Sequence, residues 1–165
     1  MDLKKLIRDV PNFPKEGILF RDMSPLLQNP DALHFVSKNL VNGVDLSQIQ
    51  YFAGIESRGF ILAAHMAAVH GKGFMPIRKA GKLPPPTKKI SYALEYGTAE
   101  IELPVGGGNI MIVDDVLATG GTLQAAIDLS SLAGYTVQAV AVLVNLTFLN
   151  QMKFNGKEVY SLVQY

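Results

Sequence analysis

Ile110-Met111-Ile112-Val113-Asp114-Asp115-Val116-Leu117-Ala118-Thr119-Gly120-Gly121-Thr122 runs from an apolar stretch into two adjacent carboxylates, then into small residues and a hydroxyl-glycine-glycine-hydroxyl turn. Ile110 to Val113 predicts a strand buried on both faces, and Thr119 to Ala133 predicts the helix that follows. The two glycines let backbone N–H groups approach a ligand closely, while Thr119 and Thr122 add hydroxyl donors where the helix begins. This is the chemistry of a phosphate cradle. Asp114 and Asp115 would repel a phosphate, but each can accept bonds from sugar hydroxyls beside it. A phosphorylated ribose satisfies both halves. Turn acids and a plain tight connection are the alternative, and they account for the residues singly but not for their combination. No Lys-Ser or Lys-Thr follows the glycines and GxGxxG is missing, which excludes a Walker P-loop and a dinucleotide fingerprint.

Outward from this stretch, strand-like and helical segments alternate. A helix is predicted near Asp2 to Arg8, then an irregular segment forced by Pro11, Pro14 and Gly17 and ending in Ile18-Leu19-Phe20-Arg21-Asp22. Asn29-Pro30-Asp31 starts a helix to about Asn42. Gln50 to Ile55 and Phe74 to Ile77 are short strands flanking a helix from Gly59 to Val69. Ile90 to Leu94 and Ala99 to Leu103 suggest a hairpin around Gly97, and Tyr135 to Val144 a long strand. The pattern predicts an α/β fold with a mostly parallel sheet covered by helices on both faces. Ligands in such sheets sit beyond the carboxyl ends of the strands, which singles out the loops after Ile55, Ile77 and Val113.

The chain of 165 residues suits one domain, 1–165. Fifteen Lys and Arg against fourteen Asp and Glu give a net charge of +1, so no global basic footprint argues for nucleic acid. With no cysteine, disulfides, a thiolate nucleophile and Cys-ligated zinc are excluded, in keeping with a reducing cytoplasm. The charged N-terminus lacks a signal-peptide core. The uncharged stretch between Asp128 and Lys153 is long enough to cross a bilayer, but Gly134 divides it into a helix and a buried strand. No membrane partner is expected.

The other two loops also carry anion chemistry. Glu56-Ser57-Arg58-Gly59 joins a strand to a helix N-terminus, and the forked donors of Arg58 suit phosphate oxygens. An internal ion pair from Arg58 to Glu56 is the alternative. Arg78 to Lys89 holds five basic residues and no acid around Pro84-Pro85-Pro86. Either it is a solvated loop, or it is a basic lid that neutralises pyrophosphate and excludes water. Phe20 is either a core aromatic or a face for a flat base, with free backbone groups around Leu19 and Arg21 to read the edge of that base. His34, His65 and His70 show no metal-ligand grouping.

The strand, acid pair and Thr119-Gly120-Gly121-Thr122 loop closely resemble those of the type I phosphoribosyltransferases. Three further segments narrow the resemblance to the adenine-using branch. They are Phe13-Pro14-Lys15-Glu16-Gly17-Ile18-Leu19-Phe20-Arg21-Asp22, Gly54-Ile55-Glu56-Ser57-Arg58-Gly59-Phe60, and Arg78-Lys79-Ala80-Gly81-Lys82-Leu83-Pro84 with Tyr92-Ala93-Leu94-Glu95-Tyr96-Gly97. The likeness extends to Ser161-Leu162-Val163-Gln164-Tyr165. Two departures stand out: a short, glycine-rich link from Pro104 to Asn109, and Asn145 where the family often has Glu.

The resemblance implies the type I phosphoribosyltransferase fold with an N-terminal hood over about 1–30 contacting the base, and a lid loop and hairpin over about 78–97. It implies transfer of the phosphoribosyl group from 5-phosphoribosyl 1-diphosphate to adenine, giving AMP and pyrophosphate, in purine salvage by a homodimer. Asp114, Asp115, Ala118, Thr119, Gly120, Gly121 and Thr122 would hold ribose and its phosphate. Glu56, Ser57, Arg58, Arg78, Lys79 and Lys82 would hold pyrophosphate, and Leu19, Phe20 and Arg21 adenine. Glu95 would sit over the reaction centre, with Arg58 and Tyr96 assisting, and a cis peptide would join Glu56 to Ser57. Mg2+ would arrive on substrate oxygens, without a protein metal cage. A non-enzymatic regulator sensing the diphosphate would need a DNA-recognition module, and the roughly twenty residues before Phe20 are too few for one. A transferase for another purine base remains the second alternative.

Overall fold

The computed structural model describes residues 1–94 and 97–165. A 3₁₀ turn at Leu3–Leu6 precedes β1 (Arg8–Pro11), β2 (Leu19–Asp22), α1 (Ser24–Leu27) and α2 (Pro30–Asn39). Then come β3 (Tyr51–Ile55), α3 (Arg58–His70), β4 (Gly73–Lys79), β5 (Thr87–Leu94) and β6 (Gly97–Pro104). The chain continues through β7 (Gly108–Leu117), α4 (Gly121–Leu132), β8 (Tyr135–Asn145), β9 (Lys153–Phe154), β10 (Lys157–Glu158) and β11 (Tyr160–Gln164).

Seven strands form the central sheet in the order β11-β8-β7-β3-β4-β6-β5. The five from β11 to β4 are parallel, and β6 and β5 add an antiparallel edge. The expected α/β class is therefore observed. Side chains of β7 alternate between the faces: Met111 and Val113 join the α2 and α3 core, while Ile110 and Ile112 join the α4 core. Burial on both faces is why this strand is continuously apolar.

The chain leaves β3 through α3 toward β4, and leaves β7 through α4 toward β8, on the opposite side. The crossovers diverge between adjacent strands β3 and β7, so the loops after them open a crevice at the carboxyl edge of the sheet. Close packing sharpens it. A Cβ on Gly54 would lie 2.6 Å from the Gly59 carbonyl oxygen, and one on Gly59 would lie 2.7 Å from Asp114 Oδ1. Only glycines let the start of α3 sit this tightly on β3 and β7.

Several boundaries differ from the sequence expectations. The opening helix is only the 3₁₀ turn, because β1 takes the chain from Arg8 and pairs antiparallel with β2, with Arg8 bonded to Asp22 at 2.7 Å. The segment that follows is irregular over residues 12–18 as expected, but its end, Leu19–Asp22, is an ordered strand. Asn29 caps α2 by accepting from Ala32 N–H at 3.0 Å, but the helix ends at Asn39, whose side chain bonds the Phe35 carbonyl. β7 runs on to Leu117, so Asp114 and Asp115 lie within the strand and not in the loop after it. The basic segment is less loop-like than expected: Arg78 and Lys79 end β4, Lys88 and Lys89 lie in β5, and residues 80–86 alone form the loop. The glycine-rich link has a packing reason. Gly106 fits where a Cβ would lie 2.2 Å from the Tyr135 hydroxyl, and its N–H bonds Ala133 O at 3.0 Å.

Candidate active site

The crevice is built by the N-termini of two helices. Gly120 caps α4 without any side-chain hydrogen bond, leaving the first N–H groups of the helix available to an anion. Asp114, Ala118, Thr119, Gly120 and Thr122 line a single cleft there, which brings together five of the seven predicted phosphate and ribose residues. Gly121 flanks them at the helix start. Thr122 Oγ1 donates to the Tyr92 hydroxyl at 3.4 Å, which ties the β5 end to α4.

Asp114 and Asp115 are both buried. Asp115 N–H donates to Asp114 Oδ1 at 2.9 Å. Burial, reinforced by the neighbouring Asp115 charge, pushes the Asp114 carboxyl well above its ordinary range, against the smaller opposing pull of that N–H and of Arg58. Arg58 Nε lies 2.6 Å from Asp115 Oδ2, yet among the described residues no donor is aligned on that buried oxygen as a hydrogen bond. An acceptor held in this state suits a sugar hydroxyl or the water shell of a cation. The alternative pairing of Arg58 with Glu56 is not formed. Glu56 instead accepts from Lys79 N–H at 2.9 Å and Arg78 Nε at 3.3 Å, and these donors hold its carboxyl below the ordinary range against burial.

The Glu56-Ser57 peptide is cis, as the resemblance implied. Ser57 is the exposed N-cap of α3 and offers no side-chain cap bond. Arg78 bonds both Glu56 and the Lys82 carbonyl, and Lys79 and Lys82 are exposed on the same loop and strand end. Phe20 lies beside Arg58, with the guanidinium 5.0 Å from the ring centroid and Phe13 edge-on to the ring at 5.1 Å. Arg21 is turned away: it pairs with Asp9 and stacks 3.7 Å over the Tyr165 ring, leaving only its backbone for a ligand. β2 has β1 as its sole strand neighbour among the described residues, so alternate residues along its second edge carry backbone donors and acceptors that the ladder does not use. Glu95 and Tyr96, expected over the reaction centre, lie outside the described residues.

The sequence reading missed Asn150. Its amide donates to the Ala118 carbonyl at 2.8 Å and to Leu146 O at 3.0 Å, with Asn145 Oδ1 at 3.1 Å. Asn145, the departure from the family pattern, is thus linked through Asn150 to the Ala118 carbonyl at the start of the glycine loop. No local spacing signals a clamp between residues 32 positions apart. His65 and His70 bond Ser37 on α2, at 2.6 and 2.9 Å, well away from this chemistry.

A glycine-rich helix start beside a buried acid pair and arginine, at the switch point of a doubly wound sheet, is the arrangement expected of a phosphoribosyltransferase. The family model described as "Phosphoribosyl transferase domain" matches residues 25–153. The adenine phosphoribosyltransferase of Bdellovibrio bacteriovorus is 78% identical over 165 residues, covering 100% of both chains. Among solved structures, the Rhodothermus marinus adenine phosphoribosyltransferase superposes with a TM-score of 0.89 at 42% identity, covering 99% of this chain and 96% of that one. The Giardia lamblia counterpart complexed with 9-deazaadenine gives 0.87 at 36% identity, with 99% and 96% coverage. The chain belongs to the adenine phosphoribosyltransferase family.

Proposed function

We propose that the chain transfers the 5-phosphoribosyl group of 5-phosphoribosyl 1-diphosphate to adenine, releasing pyrophosphate and AMP, a purine-salvage reaction. The observation that carries this reading is the buried Asp114-Asp115 pair beside the uncapped start of α4, between Arg58 and Phe20.

The 5-phosphate lies against the N–H groups of Gly120 to Thr122 and the Thr119 hydroxyl, where the helix start favours an anion. The ribose hydroxyls donate to Asp114 and Asp115. Arg58, Ser57, Arg78, Lys79 and Lys82 hold the diphosphate, with Glu56 fixing Arg78 and the Lys79 backbone. Because Arg58 rests on Asp115 without an aligned bond, an incoming diphosphate can draw it away and free the carboxylate for the sugar. Adenine packs against Phe20, with backbone of Leu19 to Arg21 reading its edge.

As the bond from the ribose anomeric carbon to the diphosphate oxygen breaks, N9 of adenine forms the new bond and loses its proton. Positive charge builds on the ribose, so a nearby anion lowers the barrier. We assign that role, and receipt of the proton, to Glu95, with Tyr96 sealing the site. Tyr92 bonds α4, and a Cβ on Gly121 would lie 3.6 Å from the Ala93 carbonyl, so the strand leading to Glu95 ends beside the phosphate site. The buried acid pair fits a hydrated Mg2+ carried by the diphosphate, which would neutralise the leaving group.

A homodimer is supported by Phe74 and Ile61, apolar and exposed, with Phe60 packed edge-on to Phe74 at 5.7 Å. None of the helices among the described residues is long and apolar enough to cross a membrane. A cytoplasmic location is our reading of the absence of cysteine. The decisive test supplies magnesium, phosphoribosyl diphosphate and each purine base separately and measures pyrophosphate release. Release with adenine is expected; release with guanine and not adenine would overturn the assignment.

A further inference from the structure

Glu102 is a charged side chain buried to 1% exposure, and the chemistry above does not use it. It lies on β6, directly opposite Arg78 of β4 and Lys89 of β5. Its Oε1 accepts two backbone N–H bonds, from Lys82 at 2.6 Å and from Leu83 at 2.7 Å. Its Oε2 lies 3.8 Å from Lys89 Nζ. Burial alone would push this carboxyl up, but the N–H donors of Leu83, Gly81 and Lys82, with Lys89, hold it below its ordinary range and therefore ionised.

The loop it touches has few other means of holding a shape. Sheet pairing between β4 and β6 ends at Lys79, and the loop is tied at its roots by Ala80 N–H to Glu100 O and by Val105 N–H to Pro86 O. Pro84, Pro85 and Pro86 have no N–H to donate. Between the roots, Glu102 Oε1 holds the backbone at Lys82 and Leu83, and Arg78 Nη1 reaches the Lys82 carbonyl at 3.4 Å. One buried oxygen therefore sets where the Lys82 backbone sits and so where its exposed ammonium projects. A group aimed at a diphosphate needs such support, since a displacement of about 1 Å can cost a hundredfold.

We propose that Glu102 is a positioning residue that holds the 80–86 loop in its diphosphate-binding shape. The inference rests on the reading that this loop binds the diphosphate. Its prediction is selective: ligands bearing the diphosphate depend on Glu102, and AMP, which lacks it, does not.

The test is calorimetric titration of the full chain, with magnesium, against pyrophosphate, phosphoribosyl diphosphate and AMP. Glu102→Asp keeps the charge but withdraws the oxygens by one methylene, and Glu102→Gln keeps Oε1 in place as an acceptor. Glu102→Asp is expected to weaken both diphosphate ligands about 10–100-fold, the size of losing one charge-assisted contact, leaving AMP within about twofold, a difference too small to signal a lost interaction. Glu102→Gln should restore most of the loss. Unchanged pyrophosphate affinity in Glu102→Asp, or equal loss for AMP, overturns the proposal. Lys82→Ala separates the two failures. If it leaves both diphosphate ligands unaffected, the assignment of the loop to diphosphate is wrong. If it weakens them while Glu102→Asp does not, the loop reading stands and the positioning role falls.

Discussion

Replacing Asp114 by Asn should move stability and binding in opposite directions. In the free protein the carboxylate is buried beside Asp115, and burial first, then that charge, raises its pKa. The folded value therefore lies above that of the unfolded chain. For such a group the stabilising contribution is complete below the unfolded value, about 3.9, and is lost as pH rises through the folded value. Asn is neutral throughout and loses nothing, while its carbonyl can still accept the Asp115 N–H bond, now 2.9 Å long. The variant should thus melt above the wild type at neutral pH, by about 2–4 °C for each kcal/mol for a chain of this size. The gap should close toward acid. Binding goes the other way. A hydrogen bond to a charged group contributes about 1.5–3 kcal/mol, so phosphoribosyl diphosphate should bind roughly 10–150-fold more weakly, with adenine affinity little changed. Melting curves across pH and calorimetric titration read the two effects. Unchanged diphosphate affinity would remove Asp114 from the ribose site, and a lower melting temperature at neutral pH would refute the burial argument.

Asp115→Asn should also weaken phosphoribosyl diphosphate, since its Oδ2 is the acceptor beside Arg58; equal affinity by calorimetry would contradict its role. Gly59→Ala would set a Cβ 2.7 Å from Asp114 Oδ1 and 3.1 Å from Val113 O, so a loss of about 1–3 kcal/mol in unfolding free energy is expected from overpacking. Diphosphate affinity should fall with it, and a variant as stable and as tight-binding as wild type would show that the contact relaxes freely. Glu95→Gln should lower kcat by roughly 10²–10³ while substrate affinity moves little; kcat near wild type under saturating substrates would confine Glu95 to the lid. Mixed Arg78→Ala and Asp114→Ala chains should regain activity if Arg78 acts across a dimer interface, and a monomer by sedimentation defeats that idea outright.

Much of the fold was legible because its signals are local. The four apolar residues ahead of Asp114, the alternation of strands and helices, and the Asn29-Pro30 cap each lie within a few residues, where pattern and backbone sterics decide. Boundaries failed where a distant partner decided. Arg8 to Pro11 joined a strand because β2 came back beside it, and β7 continued past its two acids because β8 pairs with it as far as Leu117. A hydrophobic pattern ends at Val113, whereas the hydrogen-bonded ladder does not.

The candidate site divides along the same line. Thr119-Gly120-Gly121-Thr122 declares itself because its chemistry is contiguous: close backbone approach, hydroxyls and a helix start within four residues. Arg58 illustrates the other kind. Glu56 is two positions away and was the natural partner to expect, but helix α3 begins at Arg58 and turns its side chain toward β7, while Glu56 stays with β4. The choice follows from topology, since β3 lies between β4 and β7 and residues two positions apart as the chain leaves it can serve opposite neighbours. That split also organises the chemistry. Glu56 faces the basic groups that would take the diphosphate, and Arg58 faces the acid pair that would take the sugar, so on the proposed reading the bond to be broken would fall between the two neighbours of one strand.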